Sequence, residues 1–289
     1  DKMFRNGIRM VDLLEPKVFS EKLNKGYKFN KRLIENVLDQ TFDNKMEDIL
    51  DTYVEYGKIL KPYIADVSVE LYNAHKEGKR ILFEGAQGIS LDVDHGIYPF
   101  TTSSNTCTGQ ISVGTGVSFS SIDRVIGVVK AYLSRVGESP LPSESKDSDG
   151  ELIREKGGEY GTTTGRPRRI GWLDLVQIRQ AVRINGLTEI ALTKLDVLNN
   201  IPEIPICTSY ELGDNEIKEM PASLTQYREA KPIYKRLKGW GNLPENVWDH
   251  GYDALPSELK NYINFIEDEV SCPVTIVSVG PQRHETIIR

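Results

Sequence analysis

At 289 residues the chain has length for one large domain or two modest ones, and 39% hydrophobic against 27% charged residues argues against a disordered chain. A net charge of −6 argues against a general nucleic-acid binder, although a local basic site is compatible with it. Three widely spaced cysteines, none in a CxxC pair, suit a reducing compartment and carry no structural zinc signature.

Neither a secretory signal nor an apolar run of transmembrane length is seen, so the expected setting is cytoplasmic, with no membrane and no nucleic acid as partner. The chain begins at Asp1 without an initiator methionine, which reads as a fragment.

Taken in order, residues 1–14 set Lys2, Arg5 and Arg9 around Asn6-Gly7, a pattern of exposed turn and helix-end charges. Residues 20–78 are mainly helical by their three- and four-residue apolar steps, with Pro62 as a kink or separator and Gly78 as a stop. Residues 80–84, RILFE, read as a buried strand running into Gly85-Ala86-Gln87-Gly88. A strand ending in a glycine turn is where open α/β sheets hold ligands, and Gln87 offers a donor and an acceptor to a purine edge. In LDVDHG, Asp92, Asp94 and His95 suggest a metal site, but alternate carboxylates on one polar face of a strand are the preferred reading, with His95 a structural histidine. Residues 101–116 are dense in hydroxyls and glycine, equally an anion-binding nest or a polar loop opening a helix.

Residues 124–133, RVIGVVKAYL, read as a buried strand, followed by Ser134 to Gly137 and an exposed, proline-bearing linker, SPLPSESKDSDGE. The stretch EYGTTTGRPRRIGWLD, residues 159–174, is the most informative in the chain. Glycines allow tight backbone geometry, threonines supply hydroxyls, and guanidinium forks suit carboxylates and phosphates. A helix then follows over WLDLVQIRQAV. Residues 189–196, EIALTKLD, form a β-rich run whose closing carboxylate can accept from N1–H and the 2-amino group of guanine, a donor pair adenine lacks. A helix-capping Asp with a surface Lys is the bland alternative. No GxxxxGK[ST] phosphate loop occurs, so an ordinary P-loop GTPase is not expected. Residues 202–252 read as a small β-rich excursion, 256–270 as a helix, and 274–279 as a buried strand ending in Gly280-Pro281.

EGAQG, LDVDHGIYPFTTSSNT, SRVGESPLPSE, YGTTTGRPRRIGWLD, TKLDVL and VSVGPQR, in this order, resemble the adenylosuccinate synthetase family over nearly the whole chain. The resemblance implies an α/β fold, a largely parallel sheet flanked by helices in a P-loop-NTPase-like synthetase arrangement, as a single domain over 1–289 incomplete at its N-terminus. It implies GTP-dependent joining of IMP and L-aspartate through a 6-phosphoryl-IMP intermediate, with Mg²⁺, in a homodimer. By motif, Gln87 and Arg166 would be catalytic, and Arg5, Gln87, Thr102, Val136 and Arg166 would bind IMP, with Arg5 reaching the neighbouring subunit's IMP site. Thr162, Thr163, Thr164, Gly165, Arg166 and Arg168 would form the aspartate loop. Arg168, Lys194, Leu195, Asp196, Ser278, Val279 and Gly280 would bind GTP.

Pro167 stands where the family often has arginine, and Cys107-Thr108 and Ser143 also depart from common choices. The family's glycine-rich GDEGKG segment, with its catalytic Asp, the catalytic His that follows and the Mg²⁺ contacts, has no counterpart here, so no metal ligands are expected in this chain. A non-catalytic guanine-nucleotide-binding fragment and a ligase for another 6-oxopurine nucleotide stay open as alternatives.

Overall fold

The computed structural model describes residues 2–161 and 165–289. Thr162, Thr163 and Thr164, three of the expected aspartate-binding residues, lie outside the described residues. Two compact units make up the chain, Asp1–Lys79 and Arg80–Arg289. No helix among the described residues is long and apolar enough to cross a membrane.

The first unit is helical. Pro16 opens α1 (Pro16–Asn36), where its missing N–H costs nothing and its fixed φ fits the first turn. Phe19 and Leu23, four residues apart on one face, bury with Leu13 against Met46, Ile49, Leu50 and Val54 of α2 (Met46–Leu60). Gly57 lets α2 approach closely, because a Cβ there would stand 2.6 Å from the Leu13 carbonyl oxygen. At Pro62 the chain leaves α2 through a short turn, Lys61–Tyr63. Asp66 then caps α3 (Val67–Lys76), accepting from the N–H groups of Ser68 and Val69.

The second unit is α/β. Its main sheet runs β1 (Ile126–Lys130), β4 (Glu189–Thr193), β8 (Val274–Ser278), β9 (Thr286–Ile288); the first three are mutually parallel and β9 returns antiparallel. β4 is central and buried on both faces, as its unbroken apolar run requires. α6 (Leu175–Asn185) and α8 (Ser257–Val270) belong to the same core through Leu175, Ile178, Leu259, Tyr262, Ile263 and Ile266. Asp174 accepts from the Val176 N–H and caps α6, and Gly186, at φ +59°, ends it. Burial raises the Asp174 pKa; the Tyr210 hydroxyl and Gln177 Nε2 also donate to this carboxylate. A separate antiparallel sheet, β6–β5–β7, is built from Glu203–Leu212 (β5), Asn215–Ile217 (β6) and Lys231–Lys238 (β7), with α7 (Leu224–Glu229) between the last two.

Four expectations need correction. Residues 80–84 form no strand: no ladder partner exists for them among the described residues, and Leu82 is 87% exposed. Residues 124–133 are not one buried strand. The chain breaks at Ala131 into β1 and β2 (Tyr132–Arg135); β1 is an edge strand with Val128 76% exposed, and β2 pairs antiparallel with β3 (Arg169–Trp172) in a different sheet. The serine-rich stretch after it is no exposed linker, since Ser139, Leu141, Ser143 and Ser145 are buried and α5 (Ser148–Gly157) follows. Hydroxyl hydrogen bonds, such as Ser143 Oγ to the Trp172 carbonyl at 2.8 Å, make that burial tolerable. Asp92 and Asp94 do not lie on a strand either. They sit in a run of tight turns between a short helical turn (Ile89–Leu91) and α4 (Gly109–Thr115).

Candidate functional site

The C-terminal ends of β1, β4 and β8 are neighbours, and open α/β sheets bind ligands beyond such ends. β4 ends at Thr193; Lys194 takes the left-handed conformation, φ +65°, and turns the chain into a short helical turn, Leu195–Leu198. The turn places Asp196 at the sheet edge with its Oδ1 buried and without a hydrogen-bond partner among the described residues. Burial raises the Asp196 pKa. A buried carboxylate oxygen without donors is costly unless a ligand supplies them. On the adjacent strand, β8 ends at Ser278, whose Oγ donates to the Gly280 carbonyl at 3.0 Å. Glu285 ties this turn, its Oε2 accepting from the Gln282 N–H and its carbonyl from the Val279 N–H. Leu195 and Val279 are core residues, so only their backbone is offered to a ligand.

Beside these ends, at the close of β1, lies the base of the central loop. Tyr160 and Pro167 form an antiparallel bridge, the Gly161 N–H donates to the Arg166 carbonyl, and Gly165, at φ +64°, makes the turn. Arg166 and Gly165 are exposed. Arg168 is held by Glu159, Nη1 to Oε2, at 2.8 Å. The other oxygen of Glu159 accepts from Lys130 Nζ and Tyr132 OH, each at 2.7 Å. Burial pushes the Glu159 carboxyl up, but hydrogen bonds from Lys130, Tyr132 and Arg168 outweigh it and hold the pKa down to about 2.

Arg169 looks inward. Its Nε and Nη2 grip the Glu144 carboxylate at 2.7 and 2.8 Å, and its Nη1 donates to the carbonyls of Gly137 and Ser139. It therefore holds the turn carrying Val136, which is 62% exposed.

Lys194 Nζ donates to the Gly157 carbonyl at 2.9 Å, joining the β4 end to the end of α5. Gly157 leaves room for the Tyr132 hydroxyl, which would stand 2.3 Å from an added Cβ. Gly157→Ala is therefore expected to lower stability by about 2 kcal/mol, read as a fall in Tm on thermal unfolding. An unchanged Tm would show that Tyr132 shifts without cost.

The remaining expected residues lie in the loops after residue 84. Gln87 is exposed with φ +62°, and the Thr106 hydroxyl donates to the Gly88 carbonyl. Thr102 is half-buried and donates its N–H to the Leu91 carbonyl at 2.9 Å. Asp92, fully buried, organises the segment. Its Oδ1 accepts from the N–H groups of Asp94 and His95 and from Asn105 Nδ2, and its Oδ2 from the N–H groups of Thr106 and Cys107, at 2.6 to 3.2 Å. Burial pushes the Asp92 carboxyl up, but these backbone donors prevail and hold it at about 2. Its oxygens are filled by N–H donors, which is the opposite of a vacant metal ligand. Among the described residues no group of three or more His, Cys, Asp or Glu could hold a metal ion.

Arg5, in the first unit, is exposed on a turn at φ +59°. The structure thus gathers Lys194, Asp196, Ser278, Gly280 and Arg168 around neighbouring strand ends, sets Gln87 and Thr102 in one Asp92-centred segment, and leaves Arg5 in the other unit. Sequence reasoning missed Glu159, Lys130, Asp92 and Arg169 as organisers. The available signal was a lone charge inside or just after an apolar run, as at Lys130.

The family model described as Adenylosuccinate synthetase matches residues 1–287. The adenylosuccinate synthetase of Caldanaerobacter subterraneus subsp. tengcongensis is 48% identical over 290 residues, covering 100% of this chain and 67% of that protein. The one from Geotalea uraniireducens is 47% identical over 291 residues, covering 100% and 66%. A solved structure, the fully ligated adenylosuccinate synthetase from Plasmodium falciparum, matches with a TM-score of 0.90 at 34% identity, over 100% of this chain and 67% of that one. The chain spans about two thirds of the length of these relatives.

Proposed function

The chain belongs to the adenylosuccinate synthetase family, and from that premise we propose that the full-length protein joins IMP to L-aspartate at the expense of GTP, giving adenylosuccinate for AMP synthesis. The γ-phosphoryl group of GTP passes to O6 of IMP, the aspartate amino group attacks C6, and phosphate leaves. The observation that carries this reading is the buried, unpartnered Asp196 Oδ1 at the end of β4, an acceptor waiting for the N1–H and 2-amino donors of guanine.

Asp196 reads the base, the Lys194 stem covers the ring, and Ser278, with the backbone of Leu195, Val279 and Gly280, closes the pocket. Thr162, Thr163, Thr164, Gly165, Arg166 and Arg168 hold the aspartate carboxylates, with Arg168 also facing GTP. Gln87, Thr102, the Val136 backbone and Arg166 hold IMP, and Gln87 and Arg166 orient and stabilise the reacting centre. Arg5 reaches the IMP phosphate of the neighbouring subunit in a homodimer. Fixing two anions and a nucleotide in register is catalysis by positioning, with arginines stabilising transferred charge.

The general base, the general acid and the Mg²⁺ contacts come from the family's glycine-rich segment, which has no counterpart in these 289 residues. Mg²⁺ supplies charge neutralisation at the phosphates; with no ligand cluster among the described residues, no step is assigned through it here. The cytoplasm is the proposed compartment, in keeping with Cys107, Cys207 and Cys272 all being free.

Arg168→Leu in the full-length protein tests the loop. The aspartate KM is expected to rise by about a hundredfold, since a charge-assisted contact to a carboxylate contributes roughly 1.5–3 kcal/mol. Normal aspartate kinetics in this variant would refute the assignment.

A further inference from the structure

We propose that Glu159 is a positioning residue that presents Arg168 to the carboxylate of the aspartate substrate, an inference that rests on the functional reading above. Glu159 is 1% exposed, and both its oxygens are used: Oε1 by Lys130 and Tyr132, Oε2 by Arg168. Lys130 closes β1 and Tyr132 opens β2, so the carboxylate is fixed to the sheet from two strands while its second oxygen grips the loop. The Arg168 N–H donates to the Glu159 carbonyl as well, and Arg154 Nε donates to the Arg168 carbonyl, so the backbone on both sides of the ion pair is set.

Charge gives the cluster a direction. Lys130 and Arg168 bring two positive charges to one carboxylate, which leaves one positive charge unneutralised within the trio. The side chains of Lys130 and Arg168 are 34% and 32% exposed, whereas that of Glu159 is 2% exposed, so the excess faces outward. Burying a paired carboxylate brings little net stability over an apolar replacement, because desolvation offsets the Coulomb gain. What it does secure is geometry: a planar guanidinium held at one nitrogen has its remaining face aimed. An outward-facing excess charge at a strand end, on a guanidinium so aimed, is suited to a carboxylate.

The guanine reader is tied to the same place by a different bond. Lys194 reaches the Gly157 carbonyl, not the Glu159 side chain. Loss of the Glu159 charge should therefore separate aspartate binding from nucleotide binding.

The test is steady-state kinetics of the full-length protein carrying Glu159→Gln, with Tyr132→Phe as a control that removes one donor from the same carboxylate but leaves Arg168 paired. For Glu159→Gln the aspartate KM is expected to rise between about ten- and a hundredfold, as follows from a misplacement on the order of 1 Å. The KM values for IMP and GTP should stay within about twofold, as for uncoupled sites, and Tyr132→Phe should leave all three there. Glu159→Asp keeps the charge and withdraws it by one methylene; it should give an intermediate rise and serves where Gln is not tolerated. An unchanged aspartate KM, or equal rises for all three substrates, would overturn the proposal. If the unaltered protein makes no adenylosuccinate from the three substrates, the functional reading falls first and the role of Glu159 with it.

Discussion

Asp196→Asn is expected to weaken GDP binding on the order of a hundredfold, about 3 kcal/mol, and to improve XDP binding. Guanine offers two donors, N1–H and the 2-amino group, to a carboxylate with two acceptors. Asparagine keeps one acceptor and turns the other position into a donor, which faces the 2-amino group donor to donor. Xanthine carries an oxygen at that position and accepts from the new amide. The folded chain itself should tolerate the change. Burial raises the Asp196 pKa, so its charge is a burden on the fold at neutral pH, and the neutral amide removes it. Calorimetric titration with GDP and XDP, beside a thermal melt, separates the two effects. An unchanged preference for GDP at unchanged Tm would remove Asp196 from the base pocket.

Asp92→Ala should be the most damaging substitution outside the pocket, costing about 3–5 kcal/mol. Five donors converge on that carboxylate, four of them backbone N–H groups, and each one left buried without a partner costs roughly 1–3 kcal/mol. The segment carrying Thr102 and Thr106 would lose its organiser, so the IMP KM should rise together with the loss of stability.

Acid should reproduce part of this. The Asp92 pKa is depressed in the fold, to about 2 from an unfolded value of 3.8. Its contribution is thus fully present above about pH 4 and is lost as pH falls through 2; the shift corresponds to roughly 2–3 kcal/mol. Chemical denaturation at pH 7 and pH 3 would show the slope, and Asp92→Ala should flatten it. A variant with wild-type stability and IMP kinetics would contradict the cradle.

What was legible in the sequence is what local pattern decides. EIALT is apolar on both faces, and its nearest solution is a central parallel strand; VTIVS is similar, so TKLD and VGP both arrive at one sheet edge. The glycine and arginine content of residues 159–169 fixed attention on the loop correctly, but not on how its arginines divide. Arg168 is tethered by Glu159 and Arg169 clamps Glu144, and those partners come from 9 and 25 residues away.

Other misreadings share a cause, which is that the deciding partner is remote. RILFE has the composition of a strand, yet strands require a ladder, and none is offered to it among the described residues. The alternation in LDVD fits a strand face as well as it fits a turn; only Thr106 and Cys107, 14 and 15 residues on, decide for the turn. The serines from 139 to 145 look like solvent-exposed linker until the Trp172 carbonyl and the Asp147 carboxylate are seen to satisfy Ser143 and Ser145. Polar composition predicts exposure only where the polar atoms lack internal partners.

The central claim is tested most directly by incubating the full-length protein with GTP, IMP and L-aspartate and following the products by mass spectrometry. Adenylosuccinate, GDP and phosphate should appear in equal amounts, and omission of any one substrate should abolish all three. Tight GDP binding with no adenylosuccinate formed, or faster turnover of another 6-oxopurine nucleotide than of IMP, would contradict it.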